Sequence, residues 1–236
     1  MEIYYHETCP TSRKLLDSLR KRDIANKVRL IDAKKNSFPI IGRGFVSVPV
    51  IRNNIVDYGP VDFEAIEKYI ETSEWPTKTF DLEKAIEDIT REALDNLFIA
   101  LSVYLRRSIA ILLEYPPLIE KLRLRYQNFD FDKLRSYVTE NDTKIFASIE
   151  DKLIRYIAFS FIMELKWVYG RKLSIEEFER FYPENVFLHW ILARSSVARV
   201  GLLEDIASNE ELRRRALIIR DIIREKWDKY WDYVLR

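Results

Sequence analysis

The sequence predicts an α/β N-terminal domain, built on a four-stranded mixed sheet, followed by an all-α C-terminal domain. Three observations predict this. Segments of β-branched and aromatic residues end at Tyr58, and from Asp81 onward only the 3.6-residue period of helices is seen. The early elements run strand, helix, strand, short helix or turn, two strands, helix. The first two strands are joined by a helical crossover, which makes them parallel.

In chain order, Ile3-Tyr4-Tyr5 has the composition of a short, half-buried strand. Leu15, Leu16, Leu19 and Ile24 then recur at helical spacing. Pro10 suits the first helical position, where its missing N–H costs nothing, so Cys9 is the predicted N-cap. The free N–H groups of the first turn and the helix dipole favour a thiolate over a thiol there. Residues Asn26 to Asp32 alternate as a second strand. Pro39, Gly42 and Gly44 limit the next stretch to a turn or a short helix, and Gly42-Arg43-Gly44 lacks the features of a phosphate loop. A third strand spans Phe45 to Arg52 with Pro49 inside it, a residue that belongs at a strand start, an edge or a bulge. Asn53-Asn54 turns into Ile55 to Tyr58, and Asp62 caps a helix that places Phe63, Ile66, Tyr69 and Ile70 on one face.

Residues 73–80, with Pro76, are the predicted linker between domains 1–72 and 81–236. One long helix is expected from Asp81 to about Glu114 and shorter ones over 117–126 and 130–138. Another long helix, 142–169, includes the apolar run Ile157 to Met163 and ends at Gly170. Ser174 and Glu177 have capping-box spacing, and helices over 184–203 and 209–234 close the chain.

Composition bounds the function. Lys and Arg total 39 against 38 Asp and Glu, which excludes a strong electrostatic pull toward nucleic acid or anionic lipid. The one cysteine excludes an intramolecular disulfide, and two histidines with it offer no metal-ligand cluster. The apolar run Leu97 to Leu105 is too short to span a bilayer, and the N-terminus has no signal-peptide pattern, so a soluble cytoplasmic protein is expected. Charge-dense helices and a single glutamine fit a thermophilic source.

The order of the first elements, Cys9-Pro10 at a helix start, Val48-Pro49 opening a strand and Gly59 with Asp62 at the next helix start together resemble the glutaredoxin/thioredoxin fold. With helices appended, the chain resembles the two-domain glutathione S-transferase architecture, including glutaredoxins built that way. The resemblance implies a nucleophilic Cys9, with Ser12 in the place of a resolving cysteine. It implies that Pro49 is cis and that the backbone of Val48 pairs with a thiol peptide. Gly59 and Asp62 would then hold the γ-glutamyl end of glutathione on helix N–H groups. Thr8 and Pro10 flank the thiol, and His6 stands where many glutaredoxins have a lysine. Because Ser12 is not a thiol, a dithiol mechanism is excluded. Proline beside the sulfur does not suit a shared iron–sulfur cluster, so none is expected.

The expected activity is that of a monothiol, glutaredoxin-like thiol–disulfide oxidoreductase or thiol transferase. Cys9 and Ser12 are the catalytic candidates, and His6, Thr8, Pro10, Val48, Pro49, Gly59 and Asp62 are the candidate thiol-binding residues. No metal and no tightly bound cofactor is expected, and glutathione or another low-molecular-weight thiol serves as co-substrate. Partners would be small thiols, thiol peptides or protein disulfides, with no nucleic acid or membrane, and a homodimer is left open. Two alternatives remain: a non-catalytic binding or assembly module, and a glutathione-conjugating transferase. A lone cysteine is more often a small buried hydrophobe, so position alone argues for reactivity. His189 is expected in the core, as are Tyr104 and the stripe Trp227, Tyr230 and Trp231, the last as core or dimer contact; Arg107 is expected in solvent.

Overall fold

The structure, a computed structural model, describes residues 1–7, 10–36, 50–52, 57–58, 63–74, 77–195 and 209–235. It divides into two compact units, Met1–Ile89 with Leu113–Tyr137, and Thr90–Leu112 with Val138–Arg236.

In the first unit, β1 (Glu2–Tyr5) leads into α1 (Pro10–Lys21), a 3-10 turn at Ala25–Lys27 and β2 (Arg29–Asp32). Then come β3 (Val50–Arg52), β4 (Asp57–Tyr58) and α2 (Phe63–Thr72). The strands lie in the order β2-β1-β3-β4. Ile3 faces Leu30 across a parallel ladder and Ile51 across an antiparallel one. Ile3, Leu15, Leu19, Ile24 and Ile66 form the buried cluster, because Leu15 and Leu19 stand one helical turn apart on the face of α1 turned to β1. Beneath it Glu67, 3% exposed, accepts hydrogen bonds from the Ser18 hydroxyl and, at 2.9 Å, from Arg22 Nε, which joins α2 to α1. Leu124 of α5 (Pro116–Arg125) packs against the same cluster, so this core is completed by a residue far along the chain.

The predicted fold class, a thioredoxin-like α/β domain with an all-α domain in a glutathione S-transferase-like architecture, is overturned. Among the described residues the structure is mostly helical, 76%, and parallel pairing is confined to two short two-stranded ladders. One ladder is β1 with β2; the other joins β5 (Lys78–Thr79), in the expected linker, to β6 (Tyr126–Gln127), at the end of an expected helix, where no strand was expected. β3 and β4 add three and two residues in antiparallel pairing. The physical reason is length: alternation over 26–32 predicted a seven-residue strand, yet residues 25–27 form a 3-10 turn and the ladder keeps four. The β5–β6 contact is set by neither period. Lys78 and Tyr126 pair because Phe80 packs edge-on against Tyr126 at 5.8 Å and against Phe129 at 5.6 Å. Asp88, 5% exposed, accepts from the Tyr126 hydroxyl and from Arg125, both at 2.9 Å, and ties β6 to α3 (Leu82–Asp95).

Four of the expected helices have different bounds. The helix expected over 81–114 is broken at Asn96, whose side chain accepts from the N–H groups of Phe98 and Ile99 and starts α4 (Leu97–Arg106) afresh. Arg107, in the left-handed region at φ 52°, ends α4. The two helices expected over 130–169 are one, α6 (Phe131–Tyr169), of 39 residues. Gly170 ends it as predicted, at φ 67°. α7 (Ile175–Phe181) has the predicted capping box at Ser174 and Glu177, where Arg171 and the Ser174 backbone hold the Glu177 carboxyl down to about 2. α8 (Glu184–Ser195) follows. The last expected helix is split at Lys226 into α9 (Glu210–Glu225) and α10 (Trp227–Leu235).

The second unit is organised around Phe161. Its ring, 0% exposed, lies edge-on to Phe178, Tyr182, Phe187 and Trp190, with centroids 4.8 to 5.9 Å away. Trp227 and Trp231 extend this core, as expected of that stripe.

Candidate functional site

The turn between β1 and α1 carries the candidate site. β1 ends at Tyr5 and α1 begins at Pro10, so Cys9 is bonded directly to the first residue of a 12-residue helix. The first turn of α1 contains no acidic residue to compete for its free N–H groups. His6, half-buried, follows the last residue of β1, and its backbone N–H donates to the Ser12 hydroxyl at 3.3 Å. Ser12 is 0% exposed. Its hydroxyl therefore closes the β1–α1 turn from inside the core. The helical wheel carries a signal for that burial: Ser12 precedes Leu15, Leu16 and Leu19 by three, four and seven residues, which is the apolar face of α1.

Of the remaining candidates, Thr8, Cys9, Val48, Pro49, Gly59 and Asp62 lie outside the described residues. His6 and Ser12 are joined by that hydrogen bond, and Pro10 is the first residue of α1. Tyr4 is buried and its hydroxyl reaches Glu2 at 3.4 Å, while Tyr5 is half-buried. His189 is a correction: it is exposed, because α8 buries Phe187, Trp190 and Ile191 and turns position 189 to solvent.

Two polar clusters in the second unit have no counterpart in the sequence reading. Glu164 accepts from Trp190 Nε1 at 3.1 Å and from Arg194 Nε at 2.9 Å, with the Arg194 guanidinium 4.7 Å over the Trp190 ring. These residues lie 26 and 30 positions apart along the chain, a separation no local pattern reveals. The other centres on Tyr104, buried as expected, whose hydroxyl donates to the Arg215 carbonyl at 3.4 Å, while the Arg215 guanidinium donates back to the Leu105 carbonyl. Arg107, exposed as expected, lies 3.7 Å from Glu150 and 5.5 Å over the Phe146 ring. Every charge here has a partner, so the cluster reads as a fastening between α4, α6 and α9.

Burial, followed by the Glu150 carboxylate, pushes the Tyr104 hydroxyl up to about 12, against the opposing pull of Arg215, Arg107 and Arg214. The hydroxyls of Tyr126, Tyr182 and Tyr230 are raised by burial too. A folded-state value above the unfolded one means the folded chain holds its proton longer. That contribution is complete below pH 10.0, the ordinary tyrosine value, and is lost as pH rises toward about 12. The urea midpoint should accordingly fall above pH 10.0, and Tyr104→Phe should flatten part of that fall. An identical alkaline profile in the variant would remove Tyr104 from the account.

Among the described residues no group of three His, Cys, Asp or Glu side chains is placed to hold a metal ion, and no helix is long and apolar enough to cross a membrane. Comparison with protein families, with curated proteins and with solved structures finds no match to this chain.

Proposed function

We propose that this chain transfers thiol groups through Cys9, acting as a single-cysteine thiol–disulfide oxidoreductase. The observation that supports the reading is the start of α1 at Pro10, which attaches the one cysteine to a helix N-terminus free of acidic side chains. Unpaired N–H groups and the positive end of the helix dipole stabilise a thiolate. With the Ser12 hydroxyl engaged by the His6 N–H, that side chain closes the turn and is not a second nucleophile.

The reaction follows from having one thiol. The Cys9 thiolate attacks one sulfur of a disulfide, forming a mixed disulfide and expelling the other sulfur as a thiolate. A second thiolate from a low-molecular-weight thiol such as glutathione then attacks the mixed disulfide, regenerating the Cys9 thiolate and leaving with the captured group as a new disulfide. One small thiol is consumed per turnover: the expelled sulfur leaves as a thiolate and the captured group leaves in a disulfide with the small thiol, so one disulfide is exchanged for another. No resolving cysteine exists in the chain, so a second small thiol is obligatory.

Alkylation of Cys9 measured against pH tests this. The midpoint should lie well below that of a free thiol, about 8.5. A midpoint at or above that value, with slow reaction, would sink the redox reading. The second reading, an assembly module without catalysis, draws on the exposed Phe159, Met163 and Trp167 of α6.

A further inference from the structure

We draw no further inference here: the strongest candidate, the exposed apolar row of Phe159, Met163 and Trp167 along the outer side of α6, carries nothing because nothing in the structure shows what covers it.

Discussion

Replacing Phe161 with alanine should lower the stability of the folded chain by about 3–5 kcal/mol, the range for removing a buried aromatic ring. The residue is 0% exposed and its ring meets four other aromatic rings from α7, α8 and the turn between them. Alanine removes both the transfer free energy of the ring and the edge-on contacts, and leaves a cavity that the rigid neighbours fill poorly. Because typical domains are stable by only about 5–15 kcal/mol, the variant should be close to unfolding at ordinary temperature. Urea denaturation followed by tryptophan fluorescence checks this, since Trp190 packs against the ring at 4.8 Å. A loss below about 1 kcal/mol would mean the site collapses around the missing ring, contrary to the packing described.

Cys9→Ser should reduce thiol transfer to the uncatalysed background while leaving the fold unchanged. A serine alkoxide is not accessible at neutral pH, so the substitution removes the nucleophile and with it the mixed disulfide. The assay is reduction of a glutathionylated peptide by excess glutathione, with disappearance of the peptide–enzyme disulfide checked by mass. Background-level activity in the native chain would favour the assembly reading. Retained activity in Cys9→Ser would point to conjugation chemistry, in which a hydroxyl suffices to assist a bound thiol.

Much of the local structure was legible from local chemistry. The start of α1 at Pro10, the capping box at Ser174 and Glu177, and the end of α6 at Gly170 each depend on one or two residues whose backbone preferences act within a single turn. The break at Asn96 was legible too, as an Asn able to accept from the N–H groups two and three positions on, but continuous apolar spacing across it argued for one helix. The burial of Ser12 was written in the spacing of Leu15, Leu16 and Leu19, which puts position 12 on the apolar face of α1.

The sequence by itself determined that Cys9 has no second thiol to work with, that its nearest helix begins beside it, and that charge is balanced along the chain. These are properties of composition and of neighbours a few bonds apart. Only the tertiary structure decided that β5 pairs with β6, that Leu124 completes the core around Ile3, and that Glu164 joins Trp190 to Arg194. It also decided which side of α6 is buried. Phe159 and Phe161 are the same residue type two positions apart, and what separates a packed ring from an exposed one is the presence of α7 and α8 on one side of the helix.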